Sequence, residues 1–463
     1  MASAAVVRVG HSCDGPVDFA TPTTALNMLA HDRRVDCPAT VESSERQSRS
    51  RQRCVGGRSI NPASPRLPRP IHPFPARMAA AIPWDQLRGA PGVQLRVLDP
   101  MSGSGTTLAV ARALGHHALG FDTDPLAILI ARAWCANVDP ERVELAAERV
   151  LRRAEAIHLR IPVRDAYPPG ADDETRRFIR YWFDPRNRRE LAALATVILR
   201  VRAQEIRTVL LCAFSRLIIA KQAGASLALD LAHSRPHRAR DKPTMVRPLS
   251  AFLTEVARVR RAAPFAATTT APVADVRQGD ARELPLQDAS VDIVITSPPY
   301  VNGIDYQRTT KFALVWWGYS VRQLRAVRSA NIGTEAAGRL GEATDAQAQA
   351  LKAMGPIRKL PLRTANILRK YISDMDRAIR EISRVLRPNG RAVIVIGDST
   401  LRGTYVRNSR ALRVLAEACG LRVEHIRRHR LPPNRRYLPP PRAQQQLDNR
   451  LRTEAILHLR KAG

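Results

Sequence analysis

The run from Leu95 to Trp134 constrains this chain more than any other, because strand and helix signals alternate there without a gap. LRVLDP (95–100) is a short apolar stretch closed by Asp-Pro, the pattern of a strand buried on both faces. A Gly/Ser turn follows, and the spacing predicts a helix from Thr106 to Leu114. HALGFD (117–122) predicts a second strand, and PLAILIARAW (125–134) a second helix with Pro at its first position. Two strands joined through a crossover helix pair in parallel. The fold class expected is therefore α/β, an open, doubly wound parallel sheet with ligand sites at the C-terminal ends of its strands.

The remainder reads as that sheet with insertions. From about Asp139 to Phe265 only helical spacing is seen, over 141–158, 186–203, 205–222 and 247–262, amid many arginines. Strand signals resume at VADVRQGD (273–280) and VDIVITSPPY (291–300). A second, polar insertion runs from about Val301 to Leu362. A helix over 369–387 is stopped by Arg-Pro-Asn-Gly (387–390). Strands at 391–399, 421–430 and 453–461 and a helix at 407–419 complete the pattern. Residues 1–69, which include ERQSRSRQR (45–53), read as a basic, poorly ordered tail. The sheet domain is expected over 70–137 and 271–463, and the helical insertion over 138–270.

Charge narrows the partner. Lys and Arg number 74 against 42 Asp and Glu, a net charge of +32, which points to a polyanion and most simply to nucleic acid. It argues against an enzyme of small neutral metabolites. No apolar run reaches the length of a membrane span, and the N-terminus lacks a basic-then-apolar signal, so a cytoplasmic protein without membrane contact is expected. Cys13, Cys37, Cys54, Cys135, Cys212 and Cys419 lie far apart with no CxxC pair. Neither a disulfide framework nor a metal site is expected.

Two blocks carry chemistry. The first is Asp99-Pro100-Met101-Ser102-Gly103-Ser104-Gly105-Thr106-Thr107, between a strand and a helix. Its glycines permit a tight turn and close approach of a ligand to the backbone, and Asp99 offers a carboxylate to a cationic or hydroxylated group. No Lys follows Gly105, which excludes a P-loop. Asp122 ends the next strand about 20 residues on, where a doubly wound fold places the carboxylate that binds ribose hydroxyls. Asp124, before Pro125, fits a helix cap as well as it fits a ligand. Together these residues suit a nucleoside-type cofactor. The second block is Thr296-Ser297-Pro298-Pro299-Tyr300, at the end of a buried strand. Two prolines fix φ and remove two backbone donors, leaving a stiff edge of acceptors with a π-face beside it. An exocyclic amine requires such an edge, since its hydrogens need acceptors and its ring a stacking partner.

DPMSGSGTT and TSPPY resemble the S-adenosylmethionine-binding and catalytic motifs of the amino-group DNA methyltransferases. HPFPARM (72–78) resembles the block whose Phe, here Phe74, closes over the cofactor in that family. Gln278-Gly279-Asp280 resembles the loop whose acidic residue approaches the adenine. The resemblance covers roughly 71–136 and 273–463. It implies a Rossmann-like methyltransferase sheet with an inserted all-helical target-recognition region. It also implies S-adenosylmethionine bound by Phe74, Asp99, Pro100, Gly103, Ser104, Gly105, Thr106, Asp122 and Asp280, with Ser297, Pro298, Pro299 and Tyr300 as the catalytic edge. SPPY is similar to the cytosine-N4 branch more than to the adenine-N6 branch, although the cofactor block precedes the catalytic block here, unlike the permuted order common among cytosine-N4 enzymes. Adenine N6 and an amino group in RNA stay open as alternatives, and so does a binding protein with a degenerate site. A ring-carbon methylase would need a Cys after a Pro, and none of the six has one.

Double-stranded DNA is the implied substrate, and a cognate restriction endonuclease an open partner. Its contacts are expected at Arg235 and His237 in the cluster 232–238, at Arg308 and Lys311 after the catalytic block, and at Arg435 and Arg436. Ser215-Arg216 also stands out in the helical region. Asn302, Asp305 and Tyr306 sit close enough in sequence to line the same pocket as Tyr300, and Trp316 and Trp317 read as core or lid packing.

Overall fold

The computed structural model describes residues 67–75, 77–89, 93–220, 224–229, 231, 236–238, 246–262, 272–301, 307–334, 341–430 and 453–463. Among them the main sheet has seven strands: β1 (Arg96–Asp99), β2 (His117–Asp122), β3 (Asp275–Gln278), β4 (Val291–Thr296), β5 (Leu386–Gly397), β6 (Leu421–Arg430) and β7 (Thr453–Lys461). Their order across the sheet is β6-β7-β5-β4-β1-β2-β3. All pairings are parallel except those of β7, which runs antiparallel to both β5 and β6. The expected parallel sheet is thus a mixed one, since the pattern of 453–461 carries no mark of strand direction. The order reverses at β1, flanked by β2 on one side and β4 on the other, which is where a doubly wound sheet opens its crevice.

Alternate residues of the central strands face opposite layers, as the two-residue period requires. Val97, Ile293, Ile295, Val393 and Val395 pack beneath α1 (Ala81–Leu87), α2 (Thr106–Ala113) and α3 (Pro125–Trp134). Leu98, Val294, Ile394 and Ile396 face the other way. Helices α4 (Pro140–His158), α5 (Asp173–Trp182), α6 (Pro185–Leu199), α7 (Gln204–Ile218) and α8 (Pro248–Ala262) form the helical region. Asp-Pro pairs start three of the helices: Asp124, Asp139 and Asp184 cap α3, α4 and α6 with side-chain bonds to backbone N–H groups at 2.8, 2.9 and 2.9 Å. Each such cap is worth about 1 kcal/mol. The helical region shares one apolar cluster with α3, so it is not a separate body.

Several expectations change. Helix α5 lies where no element is expected, because it buries few apolar residues and starts from an Asp172 cap that the arginines around it obscure. The region is not purely helical, since Ala228–Leu229 pairs with His237–Arg238 as a short antiparallel ribbon. The second and third expected helices stop early, at Leu199 and Ile218. The supposedly polar stretch 301–362 carries α9 (Gln307–Leu314), α10 (Val321–Ala330) and α11 (Asp345–Ala353). Phe312 to Trp317 are buried in the helical cluster, with Trp316 edge-on to Phe183 at 5.3 Å between ring centroids, so the tryptophans are core. Helix α12 (Leu362–Val385) begins two turns before the expected point. Arg387 to Gly390 do not leave the sheet: they bulge from β5, whose pairing with β4 steps from Leu386 to Arg391. A last helix, α13 (Asn408–Ala418), precedes β6, and a small ribbon of Ser399–Leu401 with Thr404–Val406 follows β5. No helix among the described residues is long and apolar enough to cross a membrane.

Gly105 joins the sheet to this packing. It has φ +88°, and a Cβ there would lie 2.8 Å from the Ala131 Cβ, so only glycine lets α2 start against α3. Replacing Gly105 with Ala is expected to cost about 2 kcal/mol or more, from left-handed strain and overpacking together. A denaturant melt reads this as a lowered midpoint at unchanged slope.

Candidate functional site

The loops after β1, β2, β3 and β4 meet over the reversal point. Asp99 ends β1 and is buried; its Oδ1 accepts from Thr296 Oγ1 at 2.7 Å and from the Met101 N–H at 3.2 Å. Asp122 ends β2, and its two oxygens accept from the Gly103 N–H at 2.8 Å and the Asp124 N–H at 2.9 Å. Gly103 has φ +50°, a left-handed conformation that glycine takes without steric cost at this bend. The Gly279 N–H donates to the Asp122 carbonyl at 3.0 Å, which fixes the third loop against the second. Thr107, at the start of α2, donates to the Ile295 carbonyl of β4 at 3.2 Å.

These loops line one cavity, together with Phe74, Arg77 and Met78 on one side and Asn331 and Ile332 on another. Of the residues expected at a cofactor, Phe74, Asp99, Pro100, Gly103, Ser104, Thr106, Asp122 and Asp280 all line it, and Ser297 and Pro299 of the catalytic block line it with them. Gly105, Pro298 and Tyr300 are not among the lining residues. Gly105 serves helix packing, Pro298 is buried, and half-buried Tyr300 donates its hydroxyl to Glu454 Oε1 at 2.7 Å. Asp124 resolves as the α3 cap, although it also borders the cavity.

Arg77, Met78, Arg282, Asn331 and Ile332 were not expected. The first two lie inside the HPFPARM block and could have been read there. Asn331 accepts from Thr123 Oγ1 at 2.8 Å across 208 residues of chain, a pairing that leaves no local signal. Arg282 bridges Asp280 at 2.5 Å and Asp374 at 2.7 Å and donates to the Ala330 carbonyl, pinning the third loop to α12 and to the end of α10.

Electrostatically the cavity is acidic. Burial pushes the Asp99 carboxyl up to about 6, against the hydrogen bonds from Thr296 and Met101. Burial and the neighbouring Asp122 push Asp124 up to about 7, and burial raises Asp122 as well. Burial also works to raise Asp280, but the Arg282 guanidinium outweighs it and holds that carboxyl low. A ligand with positive charge would relieve the first three carboxylates, and one with hydroxyl groups would find acceptors in them.

Phe74 is held over the glycine bend, its ring 3.9 Å from where a Gly103 Cβ would stand. The anchor of this segment lies in the helical region. Ser215 Oγ donates to the Cys212 carbonyl at 2.8 Å, so towards His72 Nε2, 3.0 Å away, it accepts, which places the imidazole proton on Nε2. Burial, with Arg216 and Arg77 nearby, keeps His72 neutral. Arg216 bonds the Ile71 carbonyl and Glu255, both at 2.6 Å. Ser215 and Arg216, expected in a recognition region, are instead structural: Ser215 is buried, and the pair ties the Phe74 segment to α7 and α8.

Of the expected nucleic-acid contacts, Arg235, Arg435 and Arg436 lie outside the described residues, as do Asn302, Asp305 and Tyr306. His237 is exposed on its ribbon, Arg308 is half-buried, and Lys311 Nζ stands 5.2 Å from the Phe178 ring centroid. Among the described residues no cluster of His, Cys, Asp and Glu could hold a metal ion.

No protein-family model matches the sequence. No curated protein matches it either. Solved structures similar to it include a protein of Thermus thermophilus described as a "Putative DNA Modification Methylase" and complexed with S-adenosyl-L-methionine. It is 23% identical over 40% of this chain and 54% of its own, with a TM-score of 0.21. The chain thus spans about half the length of that protein. The YcgJ protein of Bacillus subtilis is 10% identical over 83% and 99% of the two chains, with a TM-score of 0.31. A TehB-like SAM-dependent methyltransferase from Corynebacterium glutamicum is 10% identical over 82% and 88%, with a TM-score of 0.25. At such scores the fold rests on the strand order itself.

Because folded Asp99 holds its proton more tightly than the unfolded chain, its contribution to stability is complete below pH 3.8 and is lost as pH rises through about 6. Above that range the ionised, buried carboxylate costs about 3 kcal/mol. Asp99→Asn keeps an acceptor for Thr296 and Met101 and is expected to raise the stability of the ligand-free protein by up to about 3 kcal/mol at pH 8. Urea titrations across pH check this, since the gain should disappear near pH 4.

Proposed function

We propose that this chain is an S-adenosylmethionine-dependent methyltransferase that acts on the exocyclic N4 amine of cytosine in DNA. One observation carries the reading: Thr296 Oγ1 bonds Asp99 Oδ1 at 2.7 Å, and the glycine bend opens on the same cavity as Ser297 and Pro299 of the catalytic block.

The residues present fit the cofactor. The hydroxyls of Ser102 and Ser104 are buried at the cavity with no hydrogen-bond partner among the described residues, and a polar ligand would satisfy both. Asp122 would take the ribose hydroxyls, Asp280 would approach the adenine from a position fixed by Arg282, and Phe74 would cover the ligand. Asp99 would oppose its positive charge. When bound, S-adenosylmethionine supplies an electrophilic methyl group on a sulfonium.

Ser297 explains the preference for an amine. Its Oγ donates its own proton to the Val395 carbonyl at 3.2 Å, so it offers only lone pairs in any other direction. Pro298 and Pro299 have no N–H, and the Pro298 carbonyl would be the second acceptor. Accepting both amine hydrogens draws the nitrogen lone pair out of the ring and towards the methyl group, an interaction strongest in the transition state. Tyr300, held through its hydroxyl by Glu454, would present its ring to an extruded base. A net charge of +32 supports a polyanionic substrate, and Ser rather than Asp or Asn at 297 supports cytosine.

Incubation with methyl-labelled S-adenosylmethionine and mixed DNA and RNA, followed by mass spectrometry of the nucleosides, is expected to yield N4-methylcytosine in the DNA. Label on adenine N6 or in RNA would replace this reading. Ser297→Ala is expected to lower kcat by about 10²-fold, the size of one lost transition-state hydrogen bond, with cofactor affinity unchanged in calorimetry.

A further inference from the structure

Among the described residues β6 is an outer strand, paired on one side only. Because β7 is antiparallel to both of its neighbours, β6 runs in the direction of β1, β2 and β4. The C-terminal end of β6 therefore lies at the same end of the sheet as the Asp99 and Ser297 loops. Arg427, Arg428 and Arg430 stand there, all exposed. Among the described residues none of the three makes an ion pair or a side-chain hydrogen bond, whereas Arg282, Arg384 and Arg460 are each paired with carboxylates. Successive side chains leave opposite faces of a strand, so both faces of this edge carry a guanidinium.

The edge is continuous with the candidate site. Glu454, which accepts the Tyr300 hydroxyl, faces His429 in register, with its Oε2 3.8 Å from His429 Nδ1. Near Arg428, on the ribbon after β5, Tyr405 is 47% exposed and has the Arg407 guanidinium 5.5 Å from its ring centroid. From β4 to β6 is three strand spacings, about 14 Å, comparable with the ~12 Å width of a DNA major groove. A duplex with one base in the cavity would lay a backbone along this edge. Three like charges within four residues repel one another in the free protein, and a row of phosphates would reverse the sign of that interaction.

We infer that the C-terminal end of β6, with the Tyr405–Arg407 pair, is the surface that holds the phosphate backbone of the substrate DNA. The inference rests on the DNA reading above. Charge also protects sheet edges from pairing with other chains, but Arg422, at the opposite end of the same strand, would serve that purpose equally. The two explanations therefore part at Arg422.

The test uses the full chain and a short fluorescent duplex, titrated by anisotropy between about 50 and 200 mM KCl. The R427Q/R428Q/R430Q variant is expected to bind more than tenfold more weakly at the lowest salt. Its plot of log affinity against log salt should flatten by about 0.9 for each phosphate it no longer neutralises. R422Q should leave the slope unchanged, and S-adenosylmethionine affinity should match the wild type in both. If the triple variant loses cofactor affinity as well, the single variant R428Q decides, by flattening the slope by about 0.9 or not at all. An unchanged slope, or equal flattening in R422Q, overturns the surface. Wild-type protein that binds no duplex overturns the DNA reading with it, whereas tight binding with an unchanged slope in the arginine variants overturns the surface alone.

Discussion

The hydrogen bond from Thr296 to Asp99 joins parts of the chain 197 residues apart. It lies between the ends of neighbouring strands, in a buried place where an unpaired carboxylate would be costly. Asp99 is consequently both a structural and a chemical group: its bonds hold two loops in register, and its burial raises the affinity of its carboxyl for a proton at the floor of the cavity. The other strand-end loops repeat the device. Asp122 binds two backbone N–H groups and Asp280 binds Arg282, so each carboxylate that faces the cavity also organises the loop that presents it.

Much of this was legible in the sequence because it is local. β2, α3, β6 and β7 have the bounds that apolar period and Asp-Pro or Gly punctuation indicate, and most of the residues singled out in the two motif blocks line one cavity. What was not legible is long-range. The direction of β7, the identity of Phe183 as the ring that Trp316 packs on, and the arrival of Asn331 beside Thr123 depend on partners remote in the chain. Helix α5 failed for a different reason: three arginines around a narrow apolar stripe look like a solvated loop until Phe178 and Trp182 are seen against Phe312.

Arginine misleads in the same way elsewhere. In a chain this basic, a guanidinium suggests nucleic acid wherever it occurs, yet Arg216 and Arg282 are structural ties, each bridging a carboxylate and a backbone carbonyl. The planar fork that suits phosphate also suits such bridges. Composition therefore indicates the kind of partner, and only pairing in the folded chain separates the arginines that hold the protein together from those that face outward.

The anchoring of His72 and Ile71 by α7 and α8 bears on how such a protein can diversify. The roof of the cavity is moored in the helical region rather than in the sheet that forms its floor. A chimera that exchanged residues 138–270 for a foreign segment would leave Phe74 without its mooring, unless the graft supplied counterparts of Ser215 and Arg216. Modular swapping of this region is thus constrained from within, by two residues that do not line the cavity.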